Sequence, residues 1–226
     1  MNKPIKEFWT IGYKGLRFKI SPTGFKHTGL FPEQASNWDF MAKRIQESNR
    51  DDLQILNLFA YTGGATMACA KAGAKVVQVD ASKGMTLWAK ENRDLCGLSD
   101  HEIRFIVDDC LKFVEREYRR GHKYDGIVMD PPSYGRGPNK EVWKFEKNMA
   151  VLLDACLKIL SDKPLFLLIN AYTTGISNIV LANMLKTMML PLYPNGTVTS
   201  GEVSLPIKKN NMVLPCGIYG RWESND

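Results

Sequence analysis

The segment Asp130-Pro131-Pro132-Ser133-Tyr134-Gly135 follows an apolar run, Gly126–Met129, that reads as a strand. Two consecutive prolines fix φ and remove two N–H donors. The strand end is therefore expected to aim Asp130 and carbonyl oxygens outward with nothing to pair with. Such groups accept hydrogen bonds from a substrate N–H, and the Tyr134 ring can stack on a planar base. Three other polar clusters stand at comparable places. Phe59, Tyr61, Thr62, Gly63 and Gly64 follow the run starting at Gln54, Asp80-Ala81-Ser82 follow Lys75–Val79, and Asp108-Asp109 follow Ile103–Val107. A glycine pair permits a tight turn and close approach of a ligand, but also serves a plain strand-to-helix turn. A carboxylate at Asp80 can accept from both hydroxyls of a ribose, or cap the next helix. Asp108 and Asp109 stand where an adenine amino group could be met, with capping again the alternative.

These clusters gain meaning from the elements that carry them. Apolar runs alternate with segments of helical period: strand Gln54–Phe59, helix Ala65–Ala72, strand Lys75–Val79, helix Gly84–Leu95, strand Ile103–Val107, helix Cys110–Arg119, strand Gly126–Met129, helix Glu146–Leu160 and strand Leu165–Ile169. Met149, Leu152, Leu153, Cys156 and Leu160 share one helical face. The strands are unbroken apolar runs, as parallel strands buried on both faces are. The alternation predicts a doubly wound, mostly parallel α/β sheet, whose ligands bind beyond the strands' carboxyl ends. Toward the end come a helix over Ile176–Met189 and two strands, Gly196–Leu205 and Met212–Trp222, forming an antiparallel edge hairpin around Lys208-Lys209-Asn210-Asn211. Before the repeating unit, Trp9–Ile20 suggests a small hairpin and Pro32–Gln46 a helix with Pro at its start. The expected division is a lid-like extension over residues 1–50 and a main domain over 51–226.

Composition narrows the classes. In 226 residues, 44% are apolar and 24% charged, ordinary for a globular protein. No apolar run approaches the roughly 20 residues of a membrane span, and no secretory h-region opens the chain. The five cysteines, Cys69, Cys96, Cys110, Cys156 and Cys216, are scattered and unpaired in pattern, so reduced thiols in a cytoplasm are expected, with neither disulfides nor a metal site. The net charge of +6 mildly favours nucleic acid as a partner. Arg136, Lys140, Lys144 and Lys147 follow the Pro-Pro turn, the last three at roughly helical spacing, and Lys208-Lys209 form a second basic spot; solvated surface charge is the competing reading.

Motif order separates the cofactors. A dinucleotide requires G-x-G-x-x-G around its pyrophosphate, and Gly63-Gly64 lacks the third glycine, which counts against a nicotinamide dehydrogenase. A nucleoside without phosphates tolerates Phe59, Tyr61 and Thr62 at the turn, and S-adenosyl-L-methionine is such a cofactor.

Taken in order, NLFAYTGGAT, VDASKGMTLWAKEN, DDCLKF and MDPPSYG resemble the small S-adenosylmethionine-dependent class I methyltransferases related to bacterial 23S ribosomal RNA methyltransferases of cytosine C5 or guanine N7. The resemblance spans about residues 26 to 222, with HTGLFPEQASNWDFM upstream and LPCGIYGRW at the end. It implies a Rossmann-like methyltransferase fold without a separate RNA-binding domain. It further implies that Phe59, Tyr61, Thr62, Gly63 and Gly64 surround the methionine moiety, Asp80 the ribose, and Asp109 or Asp108 the adenine. Phe31 and Gln34 would lie over the cofactor, while Asp130, Pro131 and Tyr134 would face the acceptor. His27 is the one histidine to watch. Cytosine C5 chemistry needs a cysteine nucleophile, and none follows the fourth or fifth strand, so the expected acceptor is a base nitrogen of ribosomal RNA. A protein or small-molecule acceptor, or a catalytically silent RNA-binding module, remains the alternative.

Overall fold

The computed structural model describes residues 7–23 and 28–226; His27 lies outside them. In chain order the strands are β1 (Trp9–Tyr13), β2 (Leu16–Ile20), β3 (Gln54–Leu58), β4 (Lys75–Asp80), β5 (Ile103–Val107), β6 (Gly126–Met129), β7 (Tyr134–Arg136), β8 (Val142–Lys144), β9 (Phe166–Ala171), β10 (Gly196–Ile207) and β11 (Met212–Ser224). The helices are α1 (Ala35–Glu47), α2 (Gly64–Lys71), α3 (Lys83–Leu95), α4 (Cys110–Arg119), α5 (Phe145–Leu157) and α6 (Asn178–Met188), and a 3-10 turn over Pro32–Gln34 leads into α1. Among the described residues no helix is long and apolar enough to cross a membrane.

The main sheet has seven strands in the order β10-β11-β9-β6-β3-β4-β5. The five strands β9, β6, β3, β4 and β5 run parallel, and β11 lies antiparallel against β9, with β10 outside it. The order reverses at β3, so a crevice opens beyond its carboxyl end, between the ends of β4 and β6. Strand residues alternate faithfully between two packed layers. Leu56, Leu58, Val77, Val79, Ile127, Met129, Leu167 and Ile169 meet α4, α5 and α6. Ile55, Val76, Val128, Phe166 and Leu168 meet α1, α2 and the β1–β2 hairpin, which contributes Leu16 and Phe18. Burial on both faces is why these strands carry no polar alternation.

Three amides break that second face: Asn57, Gln78 and Asn170, all buried. Each is committed to a hydrogen bond near the carboxyl end of the sheet, as burial requires. Asn57 donates to Thr66, Gln78 to the Tyr61 carbonyl, and Asn170 accepts from Asn37 of α1.

Two expectations need correction. β7 and β8 form a short antiparallel hairpin where only a loop and a helix are expected. Lys140 therefore lies in the hairpin turn with a φ of 68°, Lys144 ends β8, and Lys147 is in the first turn of α5, so the three do not share one helical face. Three-residue strands are too short to print a period on a sequence.

At the far end of the sheet from the crevice, Glu117 of α4 is wholly buried. It accepts from the Tyr124 hydroxyl at 2.7 Å, with His122 Nδ1 at 2.8 Å and Arg120 Nη1 at 3.3 Å. Burial alone would raise its pKa, but the bonds from Tyr124 and His122 outweigh it and hold the carboxyl below its ordinary value of 4.5. The depressed pKa makes this a contribution present above 4.5 and lost as pH falls through the folded-state value. Glu117→Ala, which strands the buried Tyr124 hydroxyl, is expected to cost about 1–3 kcal/mol at pH 7. Denaturant melts should show that deficit narrowing as pH falls below 4.5.

Candidate active site

The turn from β3 into α2 sets the site. Phe59 (φ 55°), Tyr61 (φ 51°) and Gly63 (φ 84°) all adopt left-handed conformations. For two aromatic residues this is costly, of order 1–3 kcal/mol each, and it persists because the surroundings over-determine it. Tyr61 N–H donates to Asp80 Oδ2 at 2.8 Å, the Tyr61 carbonyl accepts from Gln78, and the Thr62 carbonyl accepts from Asn92 at 2.9 Å. Thr62 Oγ1 donates to the Gly29 carbonyl at 2.6 Å, tying the segment before α1 to the turn. Asn92 also accepts from Lys19 N–H, so β2, α3 and the turn are one braced unit.

Asp80 ends β4 and braces both neighbours, its second oxygen accepting from Ser82 N–H at 2.8 Å. The next helix is capped by Ser82, not Asp80, through a bond from Met85 N–H. Each Asp80 oxygen keeps a lone pair for a further donor. Burial raises its pKa against the lowering effect of the two backbone N–H groups. Asp109 caps α4, accepting from Lys112 N–H at 3.0 Å, and still faces the crevice. Asp108 is turned away: it is held by Arg116 and by Asp109 N–H.

The crevice is a cavity of about 620 Å³, of ligand size. Phe31, Phe59, Tyr61, Asp80, Ala81, Ser82 and Asp109 line one part, and Asp130, Pro131, Ser133, Arg136, Trp143 and Tyr172 another. A recess of about 50 Å³ behind it takes in Gln34, Thr62 and Gly64. Gly63 lies beneath, against Gln78 and Met67. Tyr134 is not among the lining residues; it stands on β7 with 53% of its surface exposed. The aromatic faces on the Asp130 side belong instead to Trp143 and Tyr172.

The prolines behave only in part as expected. The Pro132 carbonyl is taken by Trp143 Nε1 at 2.7 Å, and Ser133 O accepts from Phe145 N–H, so the Pro-Pro strand end is not wholly unpaired. Asp130 is another matter. It is partly buried, and its Oδ1, shielded from solvent, has no hydrogen-bond partner among the described residues. Burial, and secondarily the charge of Glu33, push its pKa up to about 7. Glu33 accepts from the Tyr172 hydroxyl, which in turn accepts from Gln34. Sequence reasoning overlooked Glu33, Cys110, Trp143 and Tyr172. The amides of β3, β4 and β9 were the available signal, because a polar side chain inside an apolar strand marks what it must brace.

A phosphate-free nucleoside with a sulfonium fits these walls. Asp80 offers acceptors for a diol, the aromatics offer apolar faces, and a partly buried carboxylate with an unpartnered oxygen complements a cation. A pyrophosphate does not fit. A Cβ on Gly64 would stand 2.6 Å from the Trp38 ring, so an indole closes the start of α2 where phosphates would be bound.

Comparison with known proteins agrees. The family model of S-adenosylmethionine-dependent methyltransferases matches residues 2–180. The chain belongs to that family. Ribosomal RNA large subunit methyltransferase K/L of Shewanella frigidimarina is 36% identical over 149 residues, and that of Pseudoalteromonas translucida 37% over 149. Each match covers 65% of this chain and 20% of the relative, so the chain spans about a fifth of the length of these curated relatives. The S-adenosylmethionine-dependent methyltransferase of Agrobacterium tumefaciens has a TM-score of 0.92 at 38% identity, covering 98% of this chain and 71% of that one. SMU.776 complexed with SAH has a TM-score of 0.74 at 20% identity, over 98% of this chain and 57% of that one, a likeness of fold.

Proposed function

We propose that this chain transfers the methyl group of S-adenosylmethionine to a base nitrogen of ribosomal RNA. The observation that carries the reading is Asp130, a partly buried residue that lines a cavity of ligand size and whose solvent-shielded Oδ1 has no hydrogen-bond partner among the described residues. The relatives named as ribosomal RNA methyltransferases support the choice of acceptor.

When bound, the cofactor supplies an electrophilic methyl group on a sulfonium. Asp80 accepts from the ribose hydroxyls, and Asp109 from the adenine amino group, with Ala81 and Ser82 alongside. Phe59, Tyr61 and the turn through Thr62, Gly63 and Gly64 shape the methionine end, and Phe31 closes over it. Gln34 acts indirectly, fixing Tyr172. Asp130 and the Pro131 carbonyl orient the acceptor N–H, and Tyr172 takes the stacking place expected of Tyr134. Ring nitrogens are already nucleophilic, so orientation supplies most of the acceleration, about 7–11 kcal/mol in favourable cases.

Thiolate chemistry is disfavoured within the cavity. Cys110 is its one cysteine, and burial pushes that thiol well above its ordinary value. Tritium from labelled S-adenosylmethionine is expected in an N-methylated nucleoside after incubation with large-subunit ribosomal RNA and digestion. Cys110→Ser should keep turnover within about threefold. Label confined to protein or small molecules overturns the acceptor, and a covalent adduct with 5-fluorocytosine RNA restores cysteine chemistry.

A further inference from the structure

The edge hairpin outgrows its sheet. β11 pairs with β9 only from Ile218, opposite Ala171, to Glu223, opposite Phe166, whereas its pairing with β10 continues back to Met212. Ala171 is the carboxyl end of β9. The stretch not paired with β9, residues 203–217, therefore projects past the edge at which the cavity opens. From Ile218 to Met212 it extends about 20 Å at the usual rise per residue. It rises beside β9 and β6, the side of Tyr172 and Asp130, with Asp80 on the other side of β3. A cleft of about 220 Å³ at its root is lined by Glu202, Cys216 and Tyr172, the last shared with the cavity.

The root of the arm packs near the 3-10 turn and Tyr172, but its outer part, residues 206–215, is exposed throughout, and an exposed two-stranded tip has little reason to carry apolar side chains. This one exposes Met212 (60%), Val213 (57%) and Leu214 (53%) together, with Ile207 opposite Met212. At the tip, Lys208 and Lys209 stand side by side, exposed, with no ion pair among the described residues. Residues 203–222 contain no Asp or Glu. Cations beside bare apolar side chains call for a partner that is anionic and also offers apolar faces. Unstacked nucleotides do both, and the arm stands on the acceptor's side of the cavity. A second copy would bring like-charged tips toward one another.

We propose that this arm docks single-stranded RNA flanking the target nucleotide, with Lys208 and Lys209 on phosphates and Met212, Val213 and Leu214 packed against bases. The proposal rests on RNA being the acceptor. Two exposed double variants, K208E/K209E and M212S/L214S, test it in the full chain, with melting temperature and S-adenosylhomocysteine affinity expected unchanged. Each should raise KM for large-subunit ribosomal RNA at least tenfold and leave kcat at saturation within about twofold. In filter binding, the lysine pair should lessen the slope of log affinity against log salt by about 1.4, and the apolar pair should leave the slope as it was. Wild-type KM in both variants overturns the proposal. So does sedimentation showing a dimer that M212S/L214S dissociates, or arm-dependent binding to anionic vesicles with RNA binding intact. RNA binding that depends on the arm, without methyl transfer by the wild type, removes the acceptor reading and keeps the arm.

Discussion

Asp130→Ala is expected to lower kcat/KM by about 10²–10³-fold, the scale on which a buried, preorganised polar group acts on a reacting centre. Asp130→Asn keeps an accepting oxygen but not the charge, so its loss should be nearer tenfold. The two also separate in pH. With a pKa near 7 the wild-type carboxyl is protonated in acid, where it donates instead of accepting. The wild-type rate should therefore climb between pH 6 and pH 8, and the Asn variant should run flat. Stability moves the other way. The folded-state pKa is raised above the ordinary 3.8, so the native state binds more protons between those values and loses stability as pH rises from about 4 to 7. A shift of three units corresponds to at most about 4 kcal/mol. Asp130→Asn should accordingly melt above the wild type at pH 8, with the gap closing toward pH 4. An Asn variant that melts no higher at pH 8 and keeps the wild-type rate profile excludes Asp130 as the titrating group.

Asp80→Ala should weaken S-adenosylhomocysteine binding by about 1.5–3 kcal/mol, the range for hydrogen bonds to a charged group, or about 10- to 150-fold. The same change frees Tyr61 N–H and Ser82 N–H, which Asp80 now holds at 2.8 Å each. The left-handed Tyr61 loses its anchor, so the variant should also melt lower and bind with a larger entropic penalty. Asp80→Asn can accept one of the two N–H groups and should fall between. Calorimetry beside a thermal melt separates the roles: unchanged affinity in a folded variant removes Asp80 from the cofactor's contacts, whatever happens to stability.

The strand–helix alternation was legible because burial on both faces leaves a simple mark. Ile103–Val107, Cys110–Arg119 and Gly126–Met129 lie where the pattern places them, and the other shared elements end within three residues of expectation. Asp80, Asp109, Asp130 and Phe31 meet in one cavity because strand ends converge in this topology. Tyr134 and the lysines did not follow, because β7 and β8 are too short for periodicity and redirect the chain after Pro132. Tyr172 and Glu33 come together across 139 positions through one hydrogen bond, a partnership no local spacing records. The left-handed Phe59 and Tyr61 were hidden for another reason: their residue types speak against that conformation, and only the bracing by Asp80, Gln78 and Asn92 permits it.

The strand order carries a consequence for how the protein is made. β3 sits at the centre of the sheet, between β4 and β6. About seventy residues separate Leu58 from Met129, its partner on the β6 side. At a synthesis rate of roughly 5–20 residues per second, one flank of a buried central strand waits about 4–14 seconds on the ribosome for its neighbour. β11 waits in a different sense, since it must enter between β9 and β10 after both exist. Nascent chains of this topology thus offer chaperones an open strand edge through most of translation, and slow codons placed between β4 and β6 would lengthen that exposure.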